Sequence, residues 1–431
     1  MGIVGMAVMI GIAWALSSNR KKVNWKLVSY GIALQAMFGF IVLKTGFGRA
    51  LFSTANRVFA SLLGFTDNGA RFIFGNLVKN NVPVGLPTGA PSNMAPITSG
   101  ELWANTGSFF AFTVLPTIIF FSSLMAVLYH VGAMQWIVKG IALIMQKTMG
   151  TSGAETLSAA GNIFVGQTEA PLLIKPFVDK MTMSELNTVM VGGMATIAGG
   201  VMAAYVGLLS PFFPEIAGHL LTAAVMNAPA ALLISKILVP ELGTPVTKDS
   251  LAINVERTDA NVIEAASSGA SLGLQLALNV AAMLLAFIAL ISMMNFGVGY
   301  IGGIFDHPEL SIEIILGWLL SPLAFVMGVP WSDAGTVGSL IGVKTVLNEF
   351  VAYLQLAGTL QGGSGLSPRA TIIAAYALLG FANFSSIAIQ IGGIGGIAPK
   401  RRGDLAKLGF KAMIGGNLAA FMSASLAGML I

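Results

Sequence analysis

A short polar stretch between residues 161 and 176 contains the side chains of this chain that are best suited to chemistry. The surrounding sequence is apolar, and four polar side chains share eight positions of the stretch: Asn162, Gln167, Thr168 and Glu169. A carboxylate at the centre of a bilayer costs about 2.5–3.5 kcal/mol, so an intramembrane ionisable residue indicates a functional site. We therefore expect these amide, hydroxyl and carboxylate groups to bind a polar ligand.

The backbone of this stretch is expected to be broken, because Gly161, Gly166, Pro171 and Pro176 interrupt any helix there. Broken backbone at membrane depth is tolerated only where it is buried in protein or lines a wet cavity. The stretch thus predicts a re-entrant hairpin whose tip holds the ligand. The alternative is that Glu169 caps a short helix at the membrane surface.

Composition identifies the chain as a polytopic membrane protein. Of its 431 residues, 55% are hydrophobic and only 10% are charged, whereas soluble proteins carry roughly 25% charged residues. The chain has no Cys and only three His, which excludes disulfides, thiolate chemistry and a His-rich metal site. The formal net charge of +5 would suggest a nucleic-acid partner in a soluble protein. Here the basic residues cluster in loops, where they set membrane topology, and no nucleic-acid partner is expected.

Long apolar segments alternate with short polar loops and predict an all-α architecture of eight transmembrane helices and two re-entrant hairpins. The predicted spans cover residues 2–17, 28–44, 108–130, 185–210, 216–239, 272–296, 370–397 and 405–431, and the hairpins cover residues 152–178 and 310–355. Polar or Gly-rich interruptions near Thr196 and Asn383 predict that the fourth and seventh spans are unwound in the middle. The second hairpin is expected to turn at 328–333 and to carry Glu349 in its return arm.

The connecting segments also have recognisable patterns. Residues 47–77 interleave Arg with apolar side chains and predict an amphipathic helix on the outer surface. Residues 80–107 are rich in Pro, Gly, Asn and Ser and predict an external loop, whereas residues 133–149 predict an interfacial cytoplasmic helix. Basic loops, among them 20–26 and 400–402, fall on one side, so the positive-inside rule predicts both termini on the outer side.

The series of hairpin, broken span and intact span occurs twice, at 152–239 and 310–431. The two hairpins open from opposite sides, so the chain is expected to contain an inverted repeat. Secondary transporters with inverted repeats place substrate and coupling ion near the midplane, on discontinuous helices. The half-helix ends there expose unpaired N–H and C=O groups that can bind polar groups and a cation.

Four motifs occur in order along the chain, at 166–171, at 260–266 with 273–279, at 348–353 and at 380–389. The first reads Gly-Gln-Thr-Glu-Ala-Pro and the third Asn-Glu-Phe-Val-Ala-Tyr. In these motifs the chain resembles the concentrative nucleoside transporter family, in its bacterial, sodium-coupled type. The resemblance covers residues 1–431 in element order and is densest from residue 155 onward.

The resemblance implies a symporter that is a homotrimer in the bacterial cytoplasmic (inner) membrane. A scaffold would hold the subunits together while a transport domain moves like an elevator. By residue number, the implied parts are scaffold spans one to three with the amphipathic helix at 1–130, the interfacial helix at 131–150, the first transport repeat at 151–240, a cytoplasmic loop with scaffold span six at 241–300, and the second transport repeat at 301–431.

The resemblance further implies the ligands and the residues that bind them. The substrate would be a nucleoside of the uridine or adenosine type, the coupling ion sodium, and no covalent cofactor is implied. Gln167, Thr168, Glu169 and Val201 would face the nucleobase; Glu349, Asn383 and Ser386 would take the ribose hydroxyls, and Phe381 would pack on the nucleoside. The sodium ligands would be the side chains of Asn162 and Thr196 and the carbonyls of Val165 and Ile197. Oxygen-only ligands suit a hard cation.

Other interpretations of the same residues remain open. Glu169 or Glu349 could carry a proton in place of sodium coupling, and re-entrant hairpins also occur in channels and facilitative pores. An intramembrane hydrolase would have to use Ser271 or Ser364 as its nucleophile. Neither serine comes with a His that is clearly placed in mid-membrane, so we expect the protein not to be an enzyme.

Overall fold

The computed structural model describes residues 1–79, 81–83, 103–105, 110–248, 259–362 and 365–431. These residues are mainly helical, and they include one short antiparallel pair of strands, β1 (Asn81–Pro83) and β2 (Trp103–Asn105). The predicted all-α class is therefore correct apart from this pair. Both strands fall in the predicted external loop at 80–107, and the rest of that loop lies outside the described residues.

The helices agree with most of the predicted segments. In chain order those of the first half are α1 (Gly2–Ala15), α2 (Trp25–Lys44), α3 (Gly46–Phe74), α4 (Phe110–His130), α5 (Ala133–Met149), α6 (Gly153–Gly161), α7 (Lys175–Val178), α8 (Met183–Ala195), α9 (Gly199–Leu209) and α10 (Ile216–Leu238). Those of the second half are α11 (Val262–Ile304), α12 (Ile312–Met327), α13 (Trp331–Val346), α14 (Glu349–Gln361), α15 (Pro368–Leu378), α16 (Phe384–Ile397) and α17 (Arg402–Leu430).

In the described part of the chain, six helical segments are long and apolar enough to cross a membrane, or seven if the bent pair α12 and α13 is counted as one. The segments α8–α9, α10 and the last helix are mostly buried within the protein, whereas only 11% of the apolar 18-residue window of α11 is buried. The first predicted span is a helix of 14 residues, and the seventh is split into helices of 11 and 14 residues. Each of these helices is too short to count as a membrane span by itself.

The sixth predicted span is shorter than the helix that contains it. Residues 272–296 are only the middle of α11, which has 43 residues. The polar Ala/Ser-rich stretch before residue 272 continues the helix, because Asn261 caps its N-terminus by accepting the Glu264 N–H at 2.9 Å. Gly269 and Gly273 then let α11 lie directly against α4.

The second predicted hairpin is correct only in part. The predicted turn exists, since the chain bends by 116° between α12 and α13, beside Gly328, whose φ of 105° ends α12. The predicted return arm is not one helix, because α13 ends at Val346 and α14 begins at Glu349. Asn348 explains the restart, as its side chain accepts the Val351 N–H at 2.9 Å. Glu349 therefore lies at a helix N-terminus.

The polar stretch after α6 turns the chain back on itself. It continues from the turn at 162–169 into a 3₁₀ helix (Ala170–Ile174) that packs against α6. A side chain at Gly161 would meet Leu173, so the glycine permits this close return. The following α8 begins at a capping box, in which Thr182 and Glu185 each accept the other's backbone N–H, at 3.1 and 3.0 Å.

The two broken segments cross at their unwound points, at 196–198 and 379–383. The Phe381 N–H donates to the Thr196 carbonyl at 3.2 Å. Gly380 adopts a φ of 122°, and a Cβ there would lie 2.6 Å from the Met194 carbonyl oxygen. Only glycine fits this conformation and approach.

Buried asparagines bind the carbonyls that these breaks release. Asn227 of α10 donates to the Ala195 carbonyl at 2.6 Å, and Asn417 of α17 donates to the Ala382 carbonyl at 2.9 Å. Each intact helix thus supports the break in the broken segment that precedes it in the chain. Unwound backbone can persist in a buried position because its polar groups are paired.

Candidate functional site

A cavity of about 150 Å³ lies where the two breaks, the turn after α6 and the start of α14 meet. All eight residues predicted to bind substrate line this cavity: Gln167, Thr168, Glu169, Val201, Glu349, Phe381, Asn383 and Ser386. The fold therefore brings together residues that are up to 219 positions apart in the sequence, since Ser386 accepts a hydrogen bond from Gln167.

Glu349 is a buried carboxylate in the wall of the cavity. It is 4% exposed and occupies the first turn of α14, where a helix N-terminus favours negative charge. The Tyr205 hydroxyl donates to its Oε1 at 2.9 Å and the Asn383 amide to its Oε2 at 2.9 Å. The carboxylate keeps free lone pairs and can accept further hydrogen bonds from hydroxyl groups of a ligand.

Asn383 has a fixed amide orientation. Its Oδ1 accepts the Ser386 backbone N–H at 2.9 Å as the N-cap of α16, and it also accepts from the Ser385 hydroxyl at 2.8 Å. A backbone N–H can only donate, so the amide nitrogen must point the other way, towards Glu349. The break before α16 thus positions both Asn383 and the carboxylate that it contacts.

Gln167 and Glu169 differ in their surroundings. Gln167 is 6% exposed, and its Nε2 donates to the Ser386 hydroxyl at 3.2 Å. Gln390 of α16 in turn donates to the Gln167 Oε1 at 3.0 Å. Glu169 lines the cavity and is exposed, so its carboxylate can reach a ligand.

The remaining walls of the cavity are mostly apolar. Val201 and Phe381 contribute on the side of the breaks, and α11 contributes Leu276, Val280, Met283 and Leu284. The sequence had not indicated these α11 residues, nor the supporting residues Tyr205 and Gln390. Apolar side chains in a span carry no chemical signal, and the roles of Tyr205 and Gln390 depend on contacts that only the fold creates.

The predicted cation ligands lie beside the cavity but do not line it. Asn162 is fully buried, its Nδ2 donates to the Ser158 carbonyl at 3.0 Å, and its Oδ1 has no hydrogen-bond partner among the described residues. Thr196 donates its hydroxyl to the Gly192 carbonyl at 2.9 Å, which leaves the oxygen able to bind a cation. A Cβ on Gly192 would lie 3.5 Å from the Asn162 amide nitrogen, so Asn162 lies against the end of α8.

The other two predicted cation ligands are backbone carbonyls, those of Val165 and Ile197. Val165 and Ile197 directly precede Gly166 and Ala198, which line the cavity, and the Gly199 N–H donates to the Phe164 carbonyl at 3.0 Å. The turn after α6 and the break after α8 are therefore joined at this point. No group of three or more His, Asp or Glu residues suited to a metal occurs in the described part of the chain. Neutral oxygen donors with one buried, unpartnered amide oxygen fit a hard monovalent cation.

Three protein-family models match the sequence. Residues 4–77 match the N-terminal model and residues 219–428 the C-terminal model of the sodium-dependent nucleoside transporters. Residues 111–212 match a model described as "Gate: Nucleoside recognition". An uncharacterized transporter of Haemophilus influenzae is 43% identical over 432 residues, which is the full length of this chain and 97% of the relative. The chain belongs to the sodium-dependent nucleoside transporter family.

This concentrative nucleoside transporter family consists of transporters and not of enzymes. Solute carrier family 28 member 3 of Mus musculus is 41% identical over 99% of this chain, and sodium/nucleoside cotransporter 1 of Sus scrofa is 40% identical over 99%. The chain spans 58% of the length of the mouse relative and 63% of the pig relative.

Solved structures of a family member, CNTnw, resemble the fold over the whole chain. CNTnw in an inward-facing, substrate-bound state is 45% identical, with a TM-score of 0.87, and the match covers 100% of this chain and 97% of CNTnw. A doubly substituted CNTnw in an outward-facing state matches with a TM-score of 0.89 at 45% identity and the same coverage.

Proposed function

We propose that this protein imports nucleosides into bacterial cells together with sodium, as a secondary active symporter. The observation that carries the proposal is the convergence of all eight candidate substrate residues on one cavity, next to a buried asparagine oxygen that has no partner in the described part of the chain. The name of the pig relative, a sodium/nucleoside cotransporter, supports both ligands. A site with acceptor and donor groups at fixed positions suits a ligand that carries hydroxyls at one end and a polar base at the other.

We assign the ligand-binding roles by position. Glu349, Asn383 and Ser386 bind the ribose hydroxyls, because the Glu349 carboxylate has lone pairs to spare and faces the cavity. Gln167, Thr168 and Glu169, with Val201, bind the nucleobase, and Phe381 packs against the nucleoside. Sodium binds to the side chains of Asn162 and Thr196 and to the carbonyls of Val165 and Ile197.

The architecture proposed for this function comprises eight spans and two re-entrant units, at residues 152–178 and 310–355, in an inverted repeat. Residues 1–130 and span six form the scaffold of a homotrimer, and residues 151–240 and 301–431 form the transport domain. The sparse burial of α11 supports a scaffold helix that faces lipid or another subunit. CNTnw is known in inward-facing, outward-facing and intermediate states, which supports alternating access of an elevator type. Both termini lie on the outer side of the inner membrane.

The site assignment is tested by uptake of labelled uridine in cells that lack nucleoside transport of their own. Glu349→Gln and Asn383→Ala are expected to reduce uptake at least tenfold while the protein still reaches the membrane, because hydrogen bonds to charged groups are worth about 1.5–3 kcal/mol. Glu309→Gln, at an exposed loop carboxylate, serves as the control. Normal uptake by both site variants would contradict the assignment.

A further inference from the structure

Gln390 is a fully buried amide that lies behind the cavity and not in its wall. It belongs to α16, it is 0% exposed, and its side chain reaches across to both α8 and the turn after α6. Its Nε2 donates to the Met190 carbonyl at 3.0 Å and to the Gln167 Oε1 at 3.0 Å. One amide nitrogen thus connects the backbone of α8 to a residue that faces the ligand.

These hydrogen bonds identify the nitrogen and the oxygen of both side-chain amides. A backbone carbonyl can only accept, so the atom of Gln390 that faces Met190 must be its nitrogen. The same nitrogen faces Gln167 and donates its second hydrogen there, so the facing atom of Gln167 must be its oxygen. The Gln167 nitrogen is then directed towards Ser386 and the cavity.

The contact is close because α8 has no side chain in the way. A Cβ on Gly193 would lie 2.7 Å from the Gln390 Nε2 and 2.8 Å from the Gln167 Cβ. The pair of glutamines is therefore packed directly against the backbone of α8, and the hydrogen bonds to Met190 and Gln167 set the orientation of each amide.

We infer that Gln390 is a positioning residue that sets the donor polarity of the nucleobase site through Gln167. With its oxygen held by Gln390 and one N–H given to Ser386, Gln167 offers its second N–H to the ligand. The site therefore selects a base whose edge distal to the sugar carries a carbonyl acceptor, as in a 4-keto pyrimidine nucleoside. The inference rests on the proposed nucleoside transport and names the chemistry of the base that this transport prefers.

The test compares uridine with 4-deoxyuridine, which keeps the sugar and the C2 carbonyl but lacks the distal carbonyl and, with it, the N3–H; only the part of the difference that depends on Gln390 reports on the carbonyl contact. In the intact protein reconstituted into liposomes with an inward sodium gradient, we expect uridine to have an apparent KM about tenfold lower than 4-deoxyuridine. In Gln390→Met, which keeps the volume and removes the donor, we expect this ratio to fall to about twofold or less. The maximal rate for 4-deoxyuridine should stay near that of the wild type.

Two further variants make the result specific. Gln390→Glu keeps the shape of the side chain, but an ionised carboxylate can only accept hydrogen bonds. The Gln167 amide should then turn, so that its nitrogen donates to the introduced carboxylate and its oxygen faces the cavity. We expect the substrate preference to shift from uridine towards cytidine, whose distal group is a donor. Gln35→Met is the matched control, because Gln35 is equally buried and donates a single hydrogen bond, to Ser423 at 2.9 Å, outside the cavity. It should keep the wild-type ratio.

The outcomes separate this inference from the proposed function. Wild-type uptake of both nucleosides with equal KM values would overturn the polarity inference alone, as would an unchanged ratio in Gln390→Met. A change of the same size in Gln35→Met would show that the effect is structural and would also overturn it. Absence of any sodium-driven nucleoside uptake by the wild type would overturn the proposed function itself.

Discussion

Glu349 shows how a buried carboxylate can be held for ligand binding. Its two oxygens are each fixed by one donor, from α9 and from the break before α16, so the group is ordered before any ligand arrives. Binding then costs less in side-chain entropy than it would for a mobile carboxylate. The motif Asn348–Glu349 marked this residue in the sequence, but its donor Tyr205 is 144 positions away and could be found only from the fold.

Removing the Tyr205 hydroxyl should weaken the recognition of ribose hydroxyls. For Tyr205→Phe we expect the apparent affinity for uridine to fall about tenfold, because a hydrogen bond to a charged group is lost, while that for 2′,3′-dideoxyuridine changes much less. Tyr353→Phe is the control, since Tyr353 stacks near Tyr205 but donates to the Ala375 carbonyl. Uptake assays with both nucleosides measure the difference; an equal loss for the two substrates would contradict the assigned role of Glu349.

The Thr196 hydroxyl should contribute to cation binding. Thr196→Val keeps the shape and removes one oxygen ligand, so we expect the sodium concentration for half-maximal uptake to rise about tenfold or more, with a smaller effect on nucleoside KM at saturating sodium. Thr117→Val is the matched control, because the buried Thr117 hydroxyl also donates to the carbonyl four residues earlier in its helix. If both variants need the same sodium concentration as the wild type, Thr196 is not a ligand.

At the scale of elements, the breaks in the two crossing segments place the site. Their positions were predictable from Gly and polar residues inside apolar runs, because such residues weaken a helix locally. Their partners were not, since Asn227 and Asn417 bind the released carbonyls from helices that look uniform in the sequence. Hydropathy alone did not predict the length of α11 or the start of a new helix at Glu349. Each of these helices begins at an asparagine N-cap, and hydropathy does not detect such a cap.

The crossing should be sensitive to any side chain at Gly380. Gly380→Ala places a Cβ 2.6 Å from the Met194 carbonyl oxygen and requires a strained positive φ, which costs about 1–3 kcal/mol. We expect a clearly lower unfolding temperature of the detergent-solubilised protein and reduced uptake. Gly392→Ala, in α16 with open space around it, should leave both unchanged. Equal stability of the two variants would show that the crossing tolerates rearrangement.

At the scale of the whole molecule, the proposed elevator mechanism requires α9 to move relative to α4. A Cβ on Gly200 would lie 3.3 Å from the Ser122 hydroxyl oxygen, so cysteines at these two positions are within disulfide range. The natural chain contains no cysteine, so the pair can be introduced without background. Oxidised Ser122→Cys/Gly200→Cys should lose uptake and regain it on reduction, while each single variant should not respond to oxidant. Uptake that persists in the cross-linked protein would contradict a moving transport domain.

The order of the elements along the chain is easier to predict from sequence than the assembly and the orientation in the membrane. The order of the helices could be predicted from hydropathy. The inverted repeat, the trimer, the scaffold boundaries and the side of each terminus stay predictions, because they depend on the position of the membrane and on other subunits. The burial of α8 to α10 and the exposure of α11 agree with the proposed division.

The most direct test of sodium-coupled nucleoside import is accumulation of labelled uridine in proteoliposomes with an inward sodium gradient at fixed pH. A membrane potential of 100 mV supplies about 2.3 kcal/mol per charge and a tenfold gradient about 1.4 kcal/mol, which together allow accumulation of several hundred-fold with one coupled ion. We predict uptake well above the external concentration that collapses when a sodium ionophore is added. Uptake that stops at equal concentrations on both sides, or that follows only a proton gradient, would contradict sodium coupling.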